Sequence, residues 1–183
     1  MENDYIENIE NLHRSQLLRV TAVAAEFCAL LETAREMEKT EFVERITRVL
    51  PKLYLEFTDP DTSELENPAG FDEGVLPEYV DEDFYDAVRR NVESLLGPDD
   101  TFLETFEEDM KYSDTPIAAS VAEGLADIFQ PLYNFISVVK ESEGESIFEA
   151  YSECRENFDA YWSQTLCNVM RPLNNIKYNS SNL

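Results

Sequence analysis

The sequence is short of several things, and each shortage excludes something. One histidine, His13, stands among 183 residues, which leaves little for acid and base chemistry near neutral pH. Three cysteines, Cys28, Cys154 and Cys167, form no C-x-x-C pair. An odd count with no histidine beside it supports neither a disulfide framework nor a zinc site, and reads as a chain of the cytoplasm with small buried thiols. Five glycines form no phosphate-cradling loop, and no serine, threonine or cysteine has a base nearby in sequence. No cofactor motif is present. No run approaches the roughly 18 apolar residues that span a membrane. The first ten residues carry four acids and no basic side chain, the opposite of a secretory leader. Strict alternation of β-branched and polar residues is missing as well, so nothing argues for a sheet.

Basic residues are scarce too, 14 against 39 acids, for a formal net charge of −25. The excess is concentrated. Residues Thr58 to Asp114 hold 19 acids and only Arg89, Arg90 and Lys111, a net −16. Such a surface repels nucleic acid phosphates and anionic lipid, and attracts cations or basic proteins. At 43% hydrophobic and 11% aromatic the chain is nonetheless globular, and its length suits one domain, residues 1–178, with a polar tail at 179–183.

Helical periodicity runs through most of it. Arg14 to Met37 reads as a first helix, apolar on nearly every face from Val20 to Leu31, and therefore the expected central element. Thr40 to Phe57 follows, with Phe42, Ile46, Val49, Leu53 and Phe57 on one stripe and a kink or break expected at Pro51. From Thr58 to Val80 the period is lost among Pro60, Pro68, Gly70, Gly74 and Pro77, a long acidic loop. Asp81 has the form of an N-cap with Glu82 and Asp83 in the first turn, and Gly97-Pro98 closes that helix.

A short helix is expected over Thr101 to Met110, and another beginning at Asp114 or Thr115 with Pro116 in its first turn and Pro131 as a kink. Glu141 to Glu145 is a turn. Ser146 and Glu149 have the spacing of a capping box for a last helix whose seam is Ile147, Tyr151, Cys154, Phe158, Tyr161 and Thr165. The fold class is all-α, an irregular bundle of five or six helices.

Candidate chemistry is thin. Glu10 and His13 form a single Glu-x-x-His pair, where a carboxylate-bridged dimetal bundle needs two. Glu41/Glu44 and Glu56/Asp59 approach the magnesium motif of all-helical nucleotide pyrophosphatases, but share one polar helix face. Glu104, Glu107, Glu108 and Asp109 are a further acidic set, more simply a solvated face. Glu26 lies in the most apolar helix with Arg19 two turns before it, a candidate buried acid or a boundary residue. Tyr151, Phe158, Tyr161 and Trp162 could line an aromatic pocket or simply be core.

Several stretches, Thr21 to Glu32, Leu50 to Tyr54, Tyr112 to Ser120 with Leu125 to Phe129, and Cys154 to Phe158 through Tyr161-Trp162 to Tyr178, resemble an uncharacterised bacterial family, catalogued as the domain of unknown function numbered 5063. That resemblance implies a compact helical protein and assigns no activity, cofactor or site residue. The functional expectation is a cytoplasmic acidic module that engages a basic protein, with no nucleic acid and no membrane as partner. Its expected contact surface is Asp72, Glu73, Asp81, Glu82, Asp83, Phe84 and Tyr85. The alternative is a carboxylate-based, metal-dependent hydrolase of the pyrophosphatase type.

Overall fold

A computed structural model describes residues 2–59, 76–104 and 116–180, with side chains described for 13–59, 76–104 and 116–179. Six α-helical segments occur among these residues: α1 (Glu2–Glu32), α2 (Lys39–Thr58), α3 (Glu82–Leu96), α4 (Val121–Glu141), α5 (Ile147–Asn157) and α6 (Ser163–Ser180). A single π turn, Phe158–Trp162, joins α5 to α6 with helical backbone on both sides, so five rods result. The chain is all-α in class, with one two-stranded hairpin.

The central rod is α4, not the first helix. It packs against α1, α3, α5 and α6, and ten of its residues are buried, from Val121 to Val138. In α1 the residues that make Val20 to Leu31 look apolar all round include Ala22, Ala25 and Ala29, and these three face solvent. Alanine is a strong helix former that loses little by exposure, so an apolar letter there marks propensity rather than burial. The antiparallel pairing of α1 with α2 is visible in the ion pairs Arg19–Glu56 at 3.1 Å and Glu26–Lys52 at 3.1 Å. Pro51 does not interrupt α2, nor Pro131 α4.

Two local expectations are overturned between α3 and α4. Thr101–Glu104 is a strand, β1, rather than the opening of a helix; residues 105–110 lie outside the described residues. It pairs antiparallel with β2 (Ile117–Ser120), Thr101 opposite Ser120 and Glu104 opposite Ile117. Pro116 therefore precedes a strand, and α4 starts five residues later with Ser120 as its cap, accepting from the Glu123 N–H at 3.1 Å. Four-residue strands are too short for a period to show in sequence. What holds them is Asp100: its buried carboxylate accepts from the Ser120 hydroxyl and from the Ala122 N–H, each at 2.7 Å. This places a negative charge at the N-terminus of a 21-residue helix, where unpaired N–H groups and the helix dipole favour it.

Other caps follow the sequence. The Asp81 side chain accepts from the Phe84 N–H at 2.8 Å, and Gly97 takes φ 59° as α3 ends. The turn at Ser142 to Ser146 uses positive φ at Glu143 and Gly144. Ser146 is no capping box, however: its side chain makes no cap bond, and its own N–H donates to the Ser142 hydroxyl at 3.2 Å.

The π turn changes the last seam. Its extra residue carries Tyr161 and Thr165 off the buried line, which continues instead through Phe158, Trp162, Leu166, Val169 and Leu173. Phe158 and Trp162 enclose Phe57 of α2, with ring centroids 5.3 and 4.9 Å away, and Tyr151 completes the cluster at 5.6 Å.

Gly124 sets how closely α4 and α6 approach. A Cβ there would lie 2.6 Å from Val169 Cγ1 and 3.3 Å from Thr165 Cγ2. Val169 is buried and β-branched, so it has little rotamer freedom to yield. Overpacking of this kind costs about 1–3 kcal/mol, against about 1 kcal/mol gained in helix propensity. Gly124→Ala should thus lower the urea midpoint modestly, and adding Val169→Ala should relieve the clash without restoring the lost core volume. A midpoint unchanged or raised by Gly124→Ala alone would contradict the tight approach.

Candidate functional site

The sequence-derived contact surface divides in two. Asp72 and Glu73 lie outside the described residues. Asp81, Glu82 and Asp83 are exposed at the start of α3. Phe84 turns inward, edge-on to Phe129 and Tyr133 with centroids 5.5 and 5.0 Å away. Tyr85 also points in, and its hydroxyl donates to Asp127 Oδ1 at 2.6 Å.

The other acidic constellations are drawn into ion pairs along helix faces. Glu41 meets Arg45 at 3.4 Å and Glu44 meets Arg48 at 3.9 Å, while Glu56 and Asp59 both face Arg19. Glu26 meets Lys52 rather than Arg19, with about half of its side chain in solvent, so it is a boundary residue. Glu104 is buried in β1, and Glu107, Glu108 and Asp109 lie outside the described residues, as does the Glu10 side chain. Among the described residues no three His, Cys, Asp or Glu side chains gather as metal ligands would. Of the aromatic set, Tyr151, Phe158 and Trp162 are core, and Tyr161 is not.

Tyr161 leads to the site that sequence reasoning missed. A cavity of about 260 Å³ opens between the segment Leu76 to Glu78, the middle of α4, one face of α5 and the π turn. Asn134 holds the segment in place: its Oδ1 accepts from the Tyr79 and Val80 N–H groups at 2.8 and 3.2 Å. Asp127 sits at one end, receiving Tyr85 on Oδ1 and Tyr161 on Oδ2, the latter at 2.8 Å. Two irregularities of helix geometry meet here. The π turn supplies Tyr161 and Trp162, and Pro131, lacking an N–H, leaves the main-chain carbonyl of Asp127 without its usual helical donor.

Carboxylates carry all the charge on the wall of this cavity among the described residues. Glu78, Asp127 and Glu153 line it, with Gln130, Asn134 and Asn157 as neutral polar groups, and no lysine, arginine or histidine among the described residues. Burial, followed by the bond to Asp127, pushes both tyrosine hydroxyls above their usual range, so they stay neutral donors rather than bases. Burial likewise raises the Cys154 thiol on the wall, which keeps it from acting as a thiolate. The indole N–H of Trp162, fully buried on the same wall, has no acceptor among the described residues. A signal for the site did exist in sequence. Asp127, Gln130 and Asn134 are polar residues spaced by three and four in the apolar middle of a helix.

The family described as Domain of unknown function (DUF5063) matches residues 11–179, and the chain belongs to it. Among solved structures, protein BF1032 from Bacteroides fragilis is similar, at 32% identity with a TM-score of 0.73, over 89% of this chain and 92% of that one. Comparison with curated proteins gives no match. Among the described residues no helix is long and apolar enough to cross a membrane.

Proposed function

Starting from that membership, we propose that this family member is a binding module of the cytoplasm that engages a basic protein, and that the Asp127 cavity receives a lysine or arginine side chain of that partner. The observation that carries this reading is the composition of the cavity: three carboxylates and an aromatic wall, with no basic residue lining it among the described residues. A cation entering such a recess gains from charges held in place and from the face of an aromatic ring. The exposed acids at the start of α3, Asp81 to Asp83, belong to the wider negative field that would steer a basic surface toward it. Nucleic acid is disfavoured by the same field.

Fluorescence anisotropy with a labelled lysine- and arginine-rich peptide tests this. Binding should weaken by roughly tenfold or more as salt rises from low to physiological strength, because steering between unlike charges is screened. Glu153→Gln combined with Asp127→Asn should weaken it by a similar factor at low salt, since paired charges are lost. Affinity that ignores both salt and the double substitution would refute the reading.

A further inference from the structure

The outward face of α1 is apolar along its midline. Ser15, Leu18, Ala22, Ala25 and Ala29 recur at steps of three and four on the side away from the core, and all five are exposed, Leu18 by 53%. A second exposed leucine, Leu55, stands on α2 one residue from the Glu56 that Arg19 meets. Helix propensity accounts for an alanine at any one of these positions. It does not account for where the charges stand. The segment from Arg14 to Glu32 holds four charged residues, none on the midline, and they are ordered by sign: Arg14 and Arg19 flank its first half, Glu26 and Glu32 its second. The helical repeat sets Arg19 and Glu26 on the flank toward α2, and Arg14 and Glu32 on the other.

Such a face is complementary to itself under one operation. A two-fold axis perpendicular to α1 near Ala22 and Ala25 runs a second copy antiparallel and lays Leu18 against Ala29 of that copy. The same axis brings Arg14 to Glu32 of the second copy and Arg19 to its Glu26, each pair occurring twice. A parallel copy would set arginine on arginine and glutamate on glutamate. Small side chains along the midline let the two helices approach closely, so the long flanking side chains can reach across. Arg14 and Glu32 form no ion pair among the described residues. Arg14 lies over the turn at Gly144, and partial burial holds the Glu32 carboxyl above its usual range, a cost that a guanidinium beside it would relieve. Arg19 and Glu26 already meet Glu56 and Lys52, yet 55% and 49% of their side chains stay in solvent, which leaves room for a second contact. We propose that α1 pairs antiparallel with α1 of a second copy through this face, forming a symmetric dimer. One helix pair about 27 Å long is an interface below the ~1,200 Å² of stable complexes, so half-association is expected at roughly 10–100 μM.

Sedimentation equilibrium of the intact chain at about 0.15 M salt, where repulsion between two acidic chains is screened beyond about 8 Å, provides the test. The mass should rise from that of a monomer to that of a dimer over roughly 1 μM to 1 mM. Ala22→Arg sets like charges across the axis and should weaken association by at least ~10-fold, with helicity and urea midpoint kept because the position is exposed. Arg14→Glu and Glu32→Arg should each weaken it by about 5-fold. An equimolar mixture of those two variants should associate more tightly than either alone, because their flanks are then opposite in sign. A monomer at every concentration leaves the face to solvent or to a different partner and overturns the proposal. An Ala22→Arg chain that dimerises as the native one does, or a mixture no tighter than its components, overturns it as well, since the contact would then lie on another surface.

Discussion

Replacing Phe57 by alanine is expected to lower the unfolding free energy by about 3–5 kcal/mol, the cost of truncating a fully buried aromatic side chain. Phe57 closes the C-terminal end of α2 and has no exposed surface. Three rings surround it, Tyr151 of α5 and Phe158 and Trp162 of the π turn, the last edge-on at 4.9 Å. Each ring contact of this kind adds about 0.5–1.5 kcal/mol beyond burial alone. None of the three neighbours can collapse easily into the space, because each is fixed by the helical backbone on which it sits. For a chain of this length the loss corresponds to a melting temperature lower by roughly 10 °C. Leu55→Ala is the control: it lies two residues away on the same helix, 68% exposed, and should change stability by under about 0.5 kcal/mol. Equal effects from the two substitutions, measured by urea unfolding, would mean that the aromatic cluster is not the clamp between α2 and the last rod.

The second large effect is expected from Asp100. Its carboxylate is 5% exposed and satisfies two donors, the Ser120 hydroxyl and the Ala122 N–H. Asp100→Ala leaves both without an acceptor near the start of the central helix. Hydrogen bonds to a charged group contribute about 1.5–3 kcal/mol each, and a buried donor left unsatisfied loses its full desolvation energy. Since the two bonds share one carboxylate and are not additive, the expected loss is about 3 kcal/mol. Asp100→Asn should cost about half as much, since its amide oxygen keeps one acceptor while its NH₂ faces a donor. Hydrogen exchange offers a local readout: the amides of Ala122 and Glu123 should lose protection before those in the middle of α4. If Asp100→Ala unfolds at the wild-type midpoint with those amides still protected, the buried cap is not what anchors the helix.

Both residues show how far sequence reading reaches. Phe57 was legible, because it ends a stripe of apolar residues at helical spacing in α2. Asp100 was not. Nothing in its neighbours distinguishes it from Asp99, which is exposed and meets Lys39 at 2.6 Å, because its partners lie 20 and 22 residues downstream. The same holds for the hairpin. Thr101–Glu104 and Ile117–Ser120 each carry too little local preference to be strands alone, and become so by pairing with each other beside the capped helix.

The site divides along the same line. Tyr85 and Tyr161 appear in sequence as helix aromatics, one in an expected contact surface and one in an expected seam. Their meeting on Asp127 joins positions 42 and 34 residues apart. Tyr161 could not be placed correctly from its spacing, since the single extra residue of the π turn moves it by one position around the helix.

By itself, then, the sequence determined the helical class, the stripes of α2, α3 and α4, the Asp81 cap, the Gly97 stop and the strongly negative charge. All of these arise from interactions between residues three or four apart, or from composition. Tertiary structure decided that α4 rather than α1 is central, that a hairpin precedes it, and that Asp127 holds two tyrosines beside an acidic cavity. Those outcomes depend on contacts across tens of residues, whose energies come from packing and from buried hydrogen bonds that no local pattern records.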